Sequence, residues 1–115
     1  MPAIEIDLYS DTQSKPTPEM RKAMAEAEVG DEQQGTDPTV TKLCEMTAEL
    51  LGMEEAVFLP SGTMCNQISV AVHCRPGDEI IADKTAHIVN TEGGGLAGFA
   101  GAMSRVIDGQ KGVFT

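Results

Sequence analysis

Short apolar runs alternate along this chain with helical stripes that carry their own start signals, and this alternation restricts the fold more than any other feature. Ala56-Val57-Phe58-Leu59 and Glu79-Ile80-Ile81-Ala82 read as buried strands, and Met103 to Ile107 as a third, closed by Asp108-Gly109. Caps announce the helices. Thr17-Pro18-Glu19 sets a hydroxyl, a proline and an acid where a helix N-terminus favours them. Met20, Ala23, Met24 and Ala27 follow at helical spacing, and Gly30 supplies the stop. After the loop from Gly30 to Thr36, Asp37-Pro38 repeats the signal before the stripe Val40, Leu43, Cys44, Ala48 and Leu51, which Gly52 ends. A third helix begins at Ser61 or Thr63 and runs to about Cys74, ahead of the turn Arg75-Pro76-Gly77-Asp78. Strands interleaved with helices predict an α/β fold with a largely parallel sheet. Residues 1–16, with Ile4, Ile6 and Leu8 weakly alternating and a polar Ser10-Asp11-Thr12-Gln13-Ser14, read as an N-terminal arm. Residues 17–115 read as one incomplete domain, because Lys111-Gly112-Val113-Phe114-Thr115 breaks off in mid-pattern and three strands leave sheet edges to be covered.

Composition removes several functions. Acidic residues outnumber basic ones 18 to 8, a net charge of −10, and no Lys/Arg cluster exists to meet nucleic-acid phosphates. No apolar run approaches the roughly 18 residues of a membrane span, and the N-terminus lacks the basic and apolar regions of a signal peptide. Cys44, Cys65 and Cys74 are an odd number without a Cys-x-x-Cys pair, so neither a disulfide framework nor a zinc site is expected and a cytoplasmic setting is. His73 and Cys74, adjacent on a helix, point different ways, and no metal ligand set emerges.

Four segments carry chemical content. Pro60-Ser61-Gly62-Thr63 follows an apolar run and opens a helix, whose first N–H groups and dipole favour an anion. It reads as a phosphate cup or as an ordinary N-cap, and the Gly-Lys-Ser/Thr ending of a P-loop is missing. His87 stands just beyond the second apolar run, where open α/β sheets collect ligands. Such a histidine stacks on a planar ring, moves a proton, or only ties down a loop; His73, near a helix end, suits a capping role. Asp7-Leu8-Tyr9-Ser10-Asp11-Thr12 is either a substrate-contacting arm or a solvated turn. Gly93-Gly94-Gly95-Leu96-Ala97-Gly98 satisfies Gly-x-Gly-x-x-Gly but lacks the tight strand before it, the long helix after it and the later acid of a dinucleotide site. A flexible loop or a seam of small residues is the expectation there.

Seven ordered blocks share a resemblance: Asp7-Leu8-Tyr9-Ser10-Asp11-Thr12, Pro16-Thr17-Pro18-Glu19-Met20, Val29-Gly30-Asp31, Gly35-Thr36-Asp37-Pro38-Thr39-Val40, Leu59-Pro60-Ser61-Gly62-Thr63-Met64, Gly77-Asp78-Glu79-Ile80-Ile81 and Ala86-His87-Ile88. In order and spacing the chain resembles the N-terminal third of the threonine aldolases, in the aromatic β-eliminating lyase/threonine aldolase group of fold-type-I pyridoxal-phosphate enzymes. The resemblance implies an α/β fold, the N-terminal part of the fold-type-I large domain, with a parallel-rich sheet flanked by helices. It implies pyridoxal 5′-phosphate as cofactor, with Ser61, Gly62 and Thr63 at its phosphate and His87 on its pyridine ring and in proton movement. Ser10, with Asp11 beside it, is similar to the family residue that reaches the substrate, and Glu92 falls where members often carry an acid.

The reaction so implied is cleavage of a β-hydroxy-α-amino acid, such as L-threonine or L-allo-threonine, into glycine and acetaldehyde, in a cytoplasmic dimer of dimers. Two departures stand out. Gln33-Gln34 replaces an aromatic residue common before the Gly-x-Asp-Pro block. The family's Schiff-base lysine, the acid facing the pyridine nitrogen and the carboxylate-binding arginines lie later than residue 115, and Lys15, Lys22, Lys42, Lys84 and Lys111 sit in other contexts. A 115-residue piece alone is therefore expected to be inactive. An inactive remnant or binding module, and a β-eliminating lyase acting on aromatic amino acids, are the alternatives.

Overall fold

Three capped helices, two single-turn helices, one 3-10 turn and one pair of strands make up the regular structure in a computed structural model, which describes Ile6 and residues 8–115. The arm reading of residues 1–5, and Asp7 of the first block, lie outside the described residues. Two compact units, Met1–Phe58 and Leu59–Thr115, divide the chain.

In the first unit, Ser10 caps a single 3-10 turn, Asp11–Gln13, through Thr12. The arm therefore contains a local turn, formed because a serine hydroxyl can accept from an amide two residues on. Helix α1 spans Pro18–Glu26, with the Thr17 hydroxyl accepting from the Met20 amide at 3.2 Å. It ends before Gly30, which has a different task from the helix stop expected of it. A Cβ at Gly30 would lie 2.2 Å from the Thr36 carbonyl oxygen, so only glycine lets the two strands of this loop meet. The Gly30 amide donates to Asp37 Oδ2 at 2.8 Å, and Thr39 Oγ1 donates to the Glu28 carbonyl at 2.6 Å. Asp37 also caps helix α2, Pro38–Leu51, by accepting from Val40 at 2.8 Å, and Gly52 ends it in the left-handed conformation. Along the predicted stripe Ala48 is buried, while Leu43 and Leu51 remain 48% and 62% exposed.

The run Ala56-Val57-Phe58-Leu59 forms no strand, and Val57 is 77% exposed. Strand backbone needs a neighbouring ladder for its N–H and C=O groups, and the described residues give this run none.

In the second unit, helix α3, Gly62–His73, is capped by Ser61 and followed by strand β1, Glu79–Asp83. Helices α4, His87–Asn90, and α5, Gly95–Gly98, fill the crossover to strand β2, Met103–Ile107. The strands pair in parallel from Glu79↔Met103 to Asp83↔Ile107, as the α/β expectation requires. Small residues form the core: Ala82, Leu96, Ala100 and Ala102 are buried, with α5 packed against α3, α4 and β2. The glycine-rich segment is thus a packing seam, and β1 ends well before it, unlike the strand of a dinucleotide site. Buried Asp83 ties the carboxyl ends of the strands together. Its Oδ1 accepts from the Thr85 amide at 2.8 Å and its Oδ2 from the Gly109 amide at 2.9 Å, while the Lys84 amide reaches the Ile107 carbonyl at 2.9 Å. No described helix is long and apolar enough to cross a membrane.

Two measurements check these contacts. Gly30→Ala should cost about 1–3 kcal/mol of unfolding free energy through the forced contact with Thr36. Gly62→Ala, whose Cβ meets nothing within 4 Å, should stay within about 0.5 kcal/mol of the parent in the same urea denaturation series. Asp37 and Asp83 are held below the ordinary carboxylate range, the first chiefly by the Gly30 amide and the second chiefly by the Thr85 hydroxyl, against burial. Depressed carboxylates stabilise the fold above their unfolded pKa and lose that contribution as pH falls through the folded one. The thermal midpoint should therefore hold down to about pH 5 and drop below about pH 4, less steeply in Asp83→Asn. A midpoint that rises on acidification contradicts the assignment.

Candidate active site

A carboxylate with no exposed side-chain surface organises the second unit. Glu92 Oε1 accepts from Asn66 Nδ2 at 2.6 Å and lies 2.8 Å from His87 Nδ1, while Glu92 Oε2 accepts from Gln67 Nε2 at 2.5 Å. These partners come from α3 and the head of α4, with Glu92 in the turn before α5. Thr63, Asn66, Gln67 and Val70 share one face of α3 by their i, i+3, i+4, i+7 spacing, which brings the two amides to the same carboxylate. The Asn66 amide above all holds the Glu92 carboxyl below its usual range; burial pushes the other way, and the His87 and Gln67 hydrogen bonds add to the lowering. Glu92 is thus an ionised, acceptor-only group at neutral pH.

Gly95 completes the packing. A Cβ there would lie 2.2 Å from Gln67 Oε1, so the glycine lets α5 sit directly on the Gln67 amide. With Nε2 committed to Glu92, Gln67 Oε1 is buried without a hydrogen-bond partner among the described residues. Helix α5, too short and glycine-rich to persist alone, is thereby fitted to the polar network on its neighbour.

Beside this network lies a cavity of about 560 Å³, lined by Ser61, Thr63, Met64, Gln67, Ile68, Gly95 and Phe99. Ser61 and Thr63 bring it to the N-terminus of α3. Ser61 Oγ accepts from the Met64 amide at 3.2 Å and the Ser61 carbonyl from the Cys65 amide at 3.1 Å. The Gly62 and Thr63 amides, as the first of the helix, have no intrahelical acceptor. Both residues are exposed, and the space over the Gly62 Cα is open for 4 Å. Two amides without an intrahelical acceptor, two hydroxyls and the positive end of a 12-residue helix form a donor set suited to a phosphate dianion. Met64, Ile68 and Phe99 give the cavity an apolar wall that suits a planar ring.

His87 does not line this cavity; it is joined to it through Glu92 and Gln67. Its side chain is 59% exposed, four residues beyond the carboxyl end of β1, so the ring is anchored at Nδ1 and open elsewhere. Ser10 and Asp11 belong to the first unit, where Ser10 Oγ lies 2.9 Å from Thr12 Oγ1 and 3.4 Å from Asp11 Oδ1, in a solvated turn. His73 ends α3. Among the described residues no group of three or more His, Cys, Asp or Glu could hold a metal ion, and the three cysteines are free thiols. Asn66 and Gln67 escaped the sequence reading. Their signal was two adjacent amides in the Thr63-Met64-Cys65-Asn66-Gln67 stretch of a mainly apolar helix.

Comparison with known proteins places the sequence in a family. Residues 7–115 match the family model described as beta-eliminating lyase. The chain is 47% identical over 107 residues to a probable low-specificity L-threonine aldolase 2 of Arabidopsis thaliana, covering 92% of this chain and 30% of that protein. It is 44% identical over 103 residues to the low specificity L-threonine aldolase of Escherichia coli (strain K12), covering 90% and 31%. With the enzyme of the same name from Saccharomyces cerevisiae it shares 40% identity over 98 residues, covering 84% and 25%. The chain thus spans about a third or less of the length of these relatives. Since the family match runs through the helix mouth, the Glu92 network and both strands, the chain belongs to the beta-eliminating lyase family.

Proposed function

We propose that this chain is the N-terminal segment of a pyridoxal 5′-phosphate-dependent threonine aldolase, which cleaves L-threonine or L-allo-threonine into glycine and acetaldehyde. The observation that carries the reading is the free helix mouth at Ser61-Gly62-Thr63 beside an apolar-walled cavity, in a chain 44–47% identical to low-specificity L-threonine aldolases. Residues 17–115 belong to the N-terminal portion of a fold-type-I large domain, with residues 1–16 as its arm. A two-stranded sheet and strongly exposed Val57, Val72 and Phe99 are what a segment of a larger layer would show.

Each residue has a task in this reading. Gly62 and Thr63 bind the phosphate through their amides, and the Ser61 and Thr63 hydroxyls add donors while α3 supplies the favourable field. His87, outside the cavity lining but joined to it through Glu92 and Gln67, would offer its exposed ring to the bound cofactor, and its imidazole would take part in moving the proton of the β-hydroxyl. Ser10, with Asp11 beside it, contacts the amino acid. When bound, the cofactor supplies an electron sink for the pair released as the Cα–Cβ bond breaks. Met64, Ile68 and Phe99 keep water from the ring. A cytoplasmic homotetramer, a dimer of dimers acting on a small amino acid, completes the proposal.

The test is a product assay on the enzyme carrying this segment, supplied with L-threonine and cofactor. Glycine and acetaldehyde should form in equal amounts; ammonia with pyruvate or another keto acid, and no glycine, would assign a β-elimination instead. His87→Ala should lower kcat by about 10²–10⁴, the usual reach of general acid–base catalysis. Thr63→Val should weaken cofactor binding about tenfold, the worth of one hydrogen bond to a charged group. Unchanged rate and affinity in both variants would remove these residues from the site.

A further inference from the structure

We infer that Glu92 is a positioning residue that fixes His87 as its Nδ1–H tautomer and so reserves Nε2 as a proton acceptor. The inference follows from donor counting. An ionised carboxylate has no hydrogen to give, so each group facing it must donate. Asn66 and Gln67 meet Glu92 with their amide nitrogens, and His87 meets it with Nδ1 at 2.8 Å. Nδ1 therefore carries a hydrogen, and in the neutral imidazole the lone pair is left on Nε2.

The network also makes this arrangement hard to reverse. Were Nδ1 the bare nitrogen, its lone pair would face a buried negative oxygen with no donor between them. Proton transfer from His87 to Glu92 is opposed as well, because hydrogen bonds donated by two amides favour the charged carboxylate over the neutral acid. Rotation of Gln67, which would turn its carbonyl toward Glu92, is opposed by like dipoles. Asn66 and Gln67 act one step further out: they keep the carboxylate charged, and the carboxylate keeps the imidazole oriented. The side chain of Glu92 is fully buried, whereas that of His87 is 59% exposed, so the anchored edge is sheltered and the rest of the ring stays accessible. Use of Nε2 to receive a substrate proton rests on the aldolase reading; fixing of the tautomer rests on the network alone.

The chain holds only two histidines, His73 and His87, which makes the experiment direct. Long-range ¹H–¹⁵N correlation spectra of the uniformly ¹⁵N-labelled chain, at about pH 8.5 where imidazoles are neutral, distinguish a protonated ring nitrogen from a bare one. His73→Gln assigns the two spin systems. His87 should show a single tautomer with Nδ1 protonated and Nε2 bare, and Glu92→Ala should lose that single form to a mixture of both while His73 keeps its pattern. An Nε2–H form or a mixture in the parent chain overturns the proposal, as does a variant that retains the pure Nδ1–H form. If Glu92→Ala loses its fold, seen as collapse of the amide dispersion of β1 and β2, the parent spectrum decides alone. Failure of the aldolase reading shows in the products and leaves this spectrum unchanged, so the two failures are separable.

Discussion

Burial of the Glu92 carboxylate is the constraint on which the second unit depends. A negative charge withdrawn from water is tolerated only if its oxygens are met by donors, and this one is met by three, from α3 and α4. The same bonds that compensate the charge set the register of those elements. Asn66 and Gln67 orient α3 about its axis, His87 ties down the start of α4, and Gly95 lets α5 rest on the amide of Gln67, which a larger residue would have to displace. Helix rotation in turn aims the amides of Gly62 and Thr63. An ionic group deep in the unit thus helps to orient an exposed helix N-terminus at its surface.

The strand pair supplies the platform. Parallel strands hold their carboxyl ends side by side, and Asp83 joins them through Thr85 and Gly109 at the point where the chain leaves for α4. His87 is therefore delivered from a fixed position, although it is exposed at the start of α4. Packing here uses alanine and leucine in place of aromatic residues, which suits short helices approaching one another closely. Small residues and close backbone approach are the means by which this stretch, rich in glycine, is ordered.

Much of this was legible from the chain itself where a single local signal sufficed. Thr17-Pro18, Asp37-Pro38 and Ser61 marked three helix starts, because a cap is a contact between residues two or three apart. The strands at Glu79 and Met103 were readable for a similar reason: short apolar runs bounded by turns. Two readings failed where a distant partner decides. Ala56-Val57-Phe58-Leu59 has strand composition but no ladder among the described residues, and Gly30 ends no helix because its place is set by Thr36. The Glu92 network was out of reach for the same cause, since Asn66 and Glu92 are 26 residues apart. Ser61-Gly62-Thr63 and His87 were singled out from the residues, yet how the histidine is held appears only when the chain is folded.

The central claim is that the mouth of α3 receives the phosphate of a pyridine-ring cofactor. Pyridoxine 5′-phosphate tests it most directly, because it keeps ring and phosphate but lacks the aldehyde that would react with the five lysines. Titrated into the ¹⁵N-labelled chain, it should move the Gly62 and Thr63 amides most, with smaller shifts at Met64 and Phe99, and pyridoxine without the phosphate should move them far less. Equal responses to the two compounds, or shifts that spare Gly62 and Thr63, would contradict the account.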